Sequence, residues 1–247
     1  DTIVLQVDKI MAFATAMGGK TSHAGIMARS LQIPAVVGVE NLEEDIEDGQ
    51  LIILDGFHGR IIVGPTEEEL AEFADLKYQF EAYQSLINKT CHLPAETIDG
   101  YQVQVLANIE LFEEVAAVID HGGEGIGLYR TEYSYLNRDS LPSEEELFEE
   151  YHELAEIMYP RKVVIRTLDM GADKIANHFG SLEESNPALG LRAIRFCLKH
   201  KGLFRAQLRA ILRASVLGNI SIMFPLISGL QELQEVKEFY SQVQEEL

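Results

Sequence analysis

The amino-acid sequence predicts an α/β protein in which a small, glycine-punctuated α+β unit is joined by one long helix to a region of alternating strands and helices. Three observations predict it. Residues 1–65 mix short apolar runs with glycines; Thr66 and Glu69 form a capping-box pattern ahead of apolar residues at helical spacing; and from Tyr101 onward strand-like and helical runs alternate. Such alternation implies parallel strands with crossover helices, hence an α/β barrel or a doubly wound sheet.

Taken in order, Ile10 to Ala14, Ala35 to Val39, Leu51 to Leu54 and Arg60 to Val63 read as strands, with a short helix from His23 to Leu31. Ile33-Pro34 stops that helix, because a residue before proline is pushed out of the helical region. After the capping box, Phe73, Leu76, Phe80, Tyr83 and Ile87 recur at 3,4,3,4 spacing, the seam of a helix that packs on another helix or serves as a stiff connector. Thr90 to Gly100, with Pro94, reads as a linker. Beyond it, Val103 to Ala107, Gly125 to Tyr129, Val163 to Thr167 and Ile220 to Pro225 read as strands. Leu111 to Ile119 reads as a helix, a second capping box at Ser143 and Glu146 opens a helix to about Tyr159, and two more helical stretches fill Pro187 to Leu217. The expected domains are therefore 1–65, a helix and connector over 66–99, and 100–247.

The formal net charge of -20 opposes attraction to nucleic acid or anionic lipid. No apolar run approaches the roughly 20 residues a membrane span needs. The two cysteines, Cys91 and Cys197, have no motif-like spacing, which fits a reducing, cytoplasmic setting. The same negative field would repel a small anionic substrate, so a site for one must gather the scarce arginines. The chain begins at Asp1 and ends within an apparently helical stretch, Gln231 to Leu247, that shows no stop signal, so it reads as cut at both ends.

The sharpest local signal is Gly18-Gly19-Lys20-Thr21-Ser22-His23-Ala24-Gly25, a glycine loop running into a helix start. Gly18 and Gly19 let backbone amides approach an anion, Thr21 or Ser22 can cap the helix, and its free N–H groups favour a phosphate. An imidazole there keeps a large neutral fraction near neutral pH and can accept a phosphoryl group. The other reading of His23 is a helix-terminal side chain that only caps or packs. Arg29 lies about 240° around the helix from His23 and is not assigned to the phosphate.

This stretch resembles the phosphohistidine signature shared by enzyme I of the bacterial sugar phosphotransferase system, pyruvate phosphate dikinase and phosphoenolpyruvate synthase, and is most similar to the first. Lys20 departs from the arginine usual in enzyme I, keeping charge but losing the planar fork. Asp1-Thr2 stands where that family carries a Ser-Asp-Thr turn, which makes Thr2 a candidate to support His23. Gly125 to Tyr133, Val163 to Asp169 and Asn186 to Arg195 resemble the family's phosphoenolpyruvate-binding barrel, with likeness continuing through Phe204 to Ser215 and Ile222 to Pro225. The resemblance implies the C-terminal part of a swivelling phosphohistidine domain over 1–65 and about half of a (β/α)8 barrel over 100–247.

Singly, an arginine at a strand end reads as a surface or salt-bridged group. The resemblance turns Arg130, Arg166 and Arg192 into candidates to hold phosphoenolpyruvate, with Asn108 near the substrate and Glu132, Asp169 and Asp173 orienting the arginines. Arg205, Arg209 and Arg213, at i, i+4, i+8, read as a structural helix stripe. Cys197 reads as core.

What the family implies is Mg²⁺-dependent transfer of phosphate from phosphoenolpyruvate to His23, then to a histidine-containing carrier protein, in a homodimer. The carrier-docking helices are expected before Asp1, and the Mg²⁺ ligands and a proton-donating cysteine beyond Leu247, so no metal ligand is assigned here and the chain alone is expected to turn over poorly. A half barrel would also expose sheet edges. The alternatives are a dikinase- or synthase-like phosphohistidine enzyme and a non-catalytic phospho-binding regulatory module.

Overall fold

The computed structural model describes residues 10–19, 25, 28, 33–40, 42, 46–136, 138, 140–171, 186 and 189–247. They fall into two compact units, Asp1–Thr90 and Cys91–Leu247.

In the first unit, β1 (Phe13–Thr15) lies parallel to β2 (Ala35–Val37), and β3 (Ile52–Asp55) forms an antiparallel hairpin with β4 (Arg60–Val63). Of the helix expected from His23 to Leu31, Gly25 and Ala28 are helical, and the rest lies outside the described residues. Ile33 donates its N–H to the Ala28 carbonyl at 3.0 Å and leaves the helical conformation ahead of Pro34. Helix α1 (Glu67–Thr90) starts at the expected capping box: Thr66 N–H donates to Glu69 Oε2 at 2.8 Å and Glu69 N–H to Thr66 Oγ1 at 3.2 Å.

The apolar seam of α1 is largely open to solvent. No residue of α1 is buried, and Leu76, Phe80 and Tyr83 are exposed. Its aromatic contacts go to the β-hairpin instead of a second helix: Phe80 meets Phe57 edge-on with ring centroids 5.3 Å apart, and the Arg60 guanidinium lies 5.7 Å from the Phe73 centroid.

The second unit is built on a parallel sheet in the order β5 (Ala107–Ile109), β6 (Gly125–Arg130), β7 (Lys162–Arg166), β8 (Ile220–Met223). The connections carry α2 (Glu114–Asp120), α3 (Glu144–Met158), α4 (Ile194–Lys199) and α5 (Lys201–Ala214), and α6 (Leu230–Glu245) follows β8. This is the strand–helix alternation the sequence predicts. The first strand is displaced: Tyr101, Val103 and Val105 alternate correctly but are exposed, and pairing with β6 begins only at Ala107. Alternation marks a pleated segment; a neighbouring strand is what makes it a sheet member. At the turn after α2, Gly122 has φ 75°, and a Cβ there would lie 2.1 Å from the Cys91 carbonyl oxygen, so only glycine fits.

Helices α3 and α5 cover one face of the sheet. Leu147, Tyr151, Leu154 and Met158 of α3 and Phe204, Leu208 and Ile211 of α5 pack on Ile126, Val163 and Ile165, all with at most 1% exposure. The second capping box starts α3 as expected, with Ser143 N–H donating to Glu146 Oε2 at 2.8 Å and Glu146 N–H to Ser143 Oγ at 3.2 Å. The arginine stripe of α5 is held by acids: Arg209 pairs with Glu144 at 2.7 Å, Arg213 with Glu144 at 2.9 Å and Glu145 at 2.8 Å, and Arg205 with Glu246. Arg213 also lies 4.1 Å from the Phe148 centroid. Cys197 is buried, as expected of a core thiol, and burial pushes its pKa up to about 12. Among the described residues no helix is long and apolar enough to cross a membrane.

Leu208→Ala should lower stability by about 2–5 kcal/mol, because a cavity opens in a close-packed layer. Leu76→Ala on the exposed seam of α1 should stay within about 0.5 kcal/mol. Urea unfolding followed by circular dichroism measures both.

Candidate functional site

Polar groups gather at the C-terminal ends of the parallel strands. Arg130 ends β6, Arg166 ends β7, and the two are register partners, so neighbouring strands present two cations side by side. Val163 and Ile165, facing the helices, are buried, while Arg166, which alternates with them, lies on the opposite face. Such an arrangement needs counter-charge, and the loops that follow each strand supply it.

Glu132 begins the 3₁₀ turn after β6 and Asp169 lies three residues past the end of β7. The Arg166 guanidinium spans them, with Nη2 donating to Glu132 Oε1 at 2.6 Å and Nη1 lying 3.2 Å from Asp169 Oδ2. Glu132 Oε1 also accepts the Asp169 N–H at 3.1 Å, which ties the two loops together. The other oxygen of Asp169, Oδ1, accepts from Arg192 Nε at 2.8 Å. All three groups of the inner cluster are sheltered, with side-chain exposures of 17% for Arg166, 12% for Glu132 and 11% for Asp169. Arg130 is looser, 3.9 Å from Glu110 Oε2, with both side chains more than one third exposed.

Arg192 reaches the cluster through local backbone geometry. Gly171 and Arg192 form an antiparallel bridge, and Ala193 N–H donates to the Met170 carbonyl at 3.1 Å. Ala193, fully buried, adopts φ 52°, a left-handed value that side-chain-bearing residues rarely take. The other non-glycine residue with positive φ among those described, Leu226 at 89°, follows β8 at the same end of the sheet. Strain collected at one end of a sheet marks a surface under functional constraint.

Unsatisfied hydrogen-bonding atoms collect there too. Buried Arg130 Nε, Arg166 Nε, Glu132 Oε2 and Thr167 Oγ1 have no hydrogen-bond partner among the described residues. Buried polar atoms are normally paired; here the two Nε–H groups and the Thr167 hydroxyl are open donors suited to an anion's oxygens, whereas Glu132 Oε2 is an open acceptor that is not. Planar forks provide the geometry for a carboxylate or a phosphate.

Of the residues the sequence singles out, Arg166 and Arg192 are joined through Asp169, and Arg130 is next to them on β6. Asn108 is an exposed residue of β5, in register with Leu128. Glu132 and Asp169 contact arginines as expected; Asp173 lies outside the described residues. In the first unit Gly18 takes φ 115°, and its carbonyl would lie 3.1 Å from a Cβ at Gly38, so the loop beside β2 is tight there; Gly19 is exposed with open space around it. His23, Thr21, Ser22, Lys20, Thr2 and Arg29 lie outside the described residues. Among the described residues no group of His, Cys, Asp and Glu converges as a metal site.

Sequence reasoning misses several contributors. Glu110 sits two residues after Asn108 and gave no signal of its own. Glu150 of α3 accepts from Tyr129 Oη at 2.6 Å and Ser134 Oγ at 2.9 Å, and burial raises its pKa against the lowering effect of those bonds. Arg195 links three segments, donating to Glu232 at 2.8 Å, to Ser228 Oγ at 3.1 Å and to the Leu189 carbonyl. A detectable signal existed only for Gln207, an uncharged polar residue inside the apolar stripe of α5.

Comparison with known proteins bears on both units. The family model described as "PEP-utilising enzyme, PEP-binding domain" matches residues 84–247, and that described as "PEP-utilising enzyme, mobile domain" matches residues 1–59. A phosphoenolpyruvate-protein phosphotransferase of Staphylococcus aureus is 44% identical over 247 residues, covering 100% of this chain and 43% of that protein. Its counterpart in Staphylococcus carnosus is 44% identical over 237 residues, covering 96% and 41%. The one from Bacillus sp. (strain S) is 44% identical, covering 100% and 43%. The chain thus spans about 43% of the length of the curated relatives it matches. A solution structure of Enzyme I aligns over 30% of this chain at 44% identity with a TM-score of 0.29.

Glu132→Ala should cost about 2–4 kcal/mol, because it strips a sheltered guanidinium of its closest partner. Glu110→Ala, at a long and exposed pair, should cost less than about 0.5 kcal/mol. Equilibrium urea unfolding distinguishes the two.

Proposed function

Because the chain belongs to the PEP-utilising enzymes, we propose that it is part of a phosphoenolpyruvate-protein phosphotransferase that moves a phosphoryl group from phosphoenolpyruvate to His23. From there the group passes to a histidine-containing carrier protein of the sugar phosphotransferase system. The observation that carries the substrate half is the Arg166 cluster: guanidinium groups gathered at the C-terminal ends of parallel strands, with Glu132 and Asp169 aligning Arg166 and the Nε–H groups of Arg130 and Arg166 left open.

In this reading Arg130, Arg166 and Arg192 grip the phosphate and carboxylate oxygens of the substrate, and Asn108 adds a polar contact. Arg166 is already held at its strand end by Glu132 and Asp169, so little reorganisation of it accompanies binding. The neutral imidazole of His23 donates a lone pair to phosphorus and forms the P–N bond while the bond from phosphorus to the enol oxygen breaks. The enolate leaves with that electron pair and gains a proton at carbon to give pyruvate. Gly18 and Gly19 shape the loop ahead of the histidine, and Thr21, Ser22 and Thr2 are proposed to support the phosphorylated ring.

The proposed domains follow the same reading: 1–65 as the C-terminal part of a swivelling domain, 66–99 as helix and connector, and 100–247 as the N-terminal half of a (β/α)8 barrel. The parallel order β5-β6-β7-β8 with interleaved helices supports the last. A homodimer in the cytoplasm belongs to the same proposal. So does Mg²⁺, which supplies charge neutralisation in such chemistry. The carboxylates described here do not fit it, since Glu132 and Asp169 hold arginines and no metal group converges among the described residues, so no step is routed through it.

Incubation of the protein that carries this chain with ³²P-labelled phosphoenolpyruvate and Mg²⁺ should label His23, and His23→Ala should abolish acid-labile label. Persistence of label in that variant would assign the acceptor elsewhere. Arg130→Lys or Arg166→Lys should lower kcat/KM for phosphoenolpyruvate by about 100-fold or more, the scale of lost preorganised contacts, while Arg209→Lys stays within about twofold.

A further inference from the structure

Gln207 lies midway along α5 and is fully buried, although Phe204, Leu208 and Ile211 around it make an apolar stripe. A primary amide in such a place is costly unless every bond is made. Its Oε1 accepts the Leu168 N–H at 3.0 Å, and its Nε2 donates to Thr131 Oγ1 at 3.0 Å and to Tyr151 Oη at 3.3 Å. Thr131 Oγ1 in turn donates to the Arg166 carbonyl at 3.0 Å.

The positions of those partners are informative. Leu168 immediately precedes Asp169, and Thr131 immediately precedes Glu132, the two carboxylates that hold Arg166. One side chain therefore fixes the backbone just before both carboxylates and, through Thr131, the peptide of Arg166 itself. We infer that Gln207 is a positioning residue for the anion site, setting the separation of the β6 and β7 ends so that Arg166 and Arg192 meet phosphoenolpyruvate in a fixed geometry. This rests on the reading of the site as the phosphoenolpyruvate site.

The chemistry explains the residue type. Leu168 N–H needs an acceptor, while Thr131 Oγ1 has given its only proton to Arg166 and needs a donor, so the bridge requires both functions at glutamine length. Glutamate would lack the donor and place a charge at a fully buried position. Asparagine is one methylene short. The nearest supporting shell sets how well a binding group is aligned, and a displacement of about 1 Å can cost about 100-fold.

The test uses the protein that carries this chain, with phosphoenolpyruvate as the varied substrate and Leu208→Val as a control that disturbs the same helix without touching the bridge. Gln207→Met keeps volume and removes all three bonds. The expected result is a KM for phosphoenolpyruvate raised about 10-fold or more in Gln207→Met, with KM unchanged in Leu208→Val at a comparable loss of melting temperature. Equal KM changes in both, or none in Gln207→Met, would overturn the inference in favour of a purely structural amide. Should Gln207→Met fail to fold, Thr131→Val breaks the same bridge from its other end, and an unaltered KM there overturns it equally. Wild-type protein that does not use phosphoenolpyruvate at all removes the functional reading beneath it, a result distinct from the others.

Discussion

Two arginines that end adjacent parallel strands repel each other, and the second unit is organised around the means of holding them there. Arg130 and Arg166 share a register position, and no side-chain freedom separates their Cα atoms beyond the spacing of neighbouring strands. Glu132 and Asp169 resolve the conflict by clamping Arg166 from both sides, and Asp169 uses its second oxygen for Arg192. Removing either carboxylate would leave a sheltered cation short of a partner, the costly case for a buried pair. The clamp also leaves donors open, since Arg166 Nε and Arg130 Nε are unpaired among the described residues. A cluster neutral enough to fold can therefore still offer hydrogen bonds to an arriving anion, within a chain whose net charge of -20 would otherwise repel it.

Holding charges in place demands a scaffold that does not yield, and the packing of α3 and α5 supplies it. Both helices are anchored on the sheet by fully buried residues and to each other by Arg209 and Arg213 on Glu144 and Glu145. Those acids occupy the first turn of α3, where the helix dipole already favours negative charge, so the cross-helix pairs add to a favourable placement. The same two helices send polar side chains through the core to the strand ends. Glu150 of α3 fastens Tyr129 and Ser134, and Gln207 of α5 fastens Thr131 and Leu168. Stability and site geometry thus share the same elements, as expected when a functional array is mounted on rigid secondary structure.

What was legible in the sequence follows from how local each signal is. The capping boxes at Thr66 and Ser143 are complete within four residues, and both form as read. The arginines at the ends of Gly125 to Arg130 and Lys162 to Arg166 were visible because a strand pattern ends on them and a family pattern surrounds them. Less local properties were lost. Alternation over Tyr101 to Val105 looks like a strand, yet strand membership depends on a neighbour far along the chain. The apolar seam of α1 announces burial, but a periodic stripe does not say what covers it, and the structure places a hairpin against part of it. Gln207 was visible only as an exception in an apolar stripe, and its meaning depends on partners 39 to 76 residues away in sequence. His23 and its support, the strongest local motif of all, lie outside the described residues, so the acceptor half of the site rests on sequence.

Ala193 shows how the array tolerates local cost. A non-glycine residue at φ 52° carries strain of about 1–3 kcal/mol, which persists only where surroundings over-determine the backbone. Here they do: its N–H is bound to the Met170 carbonyl, its carbonyl accepts from Cys197 N–H at 2.9 Å, and Arg192 just before it is bridged to Gly171. Because Arg192 directly precedes Ala193, the same constrained backbone carries the guanidinium that meets Asp169 Oδ1. The strained peptide thus adjoins the arginine that meets the shared carboxylate, and the hydrogen bonds on either side of Ala193 hold its backbone where an isolated residue would not stay.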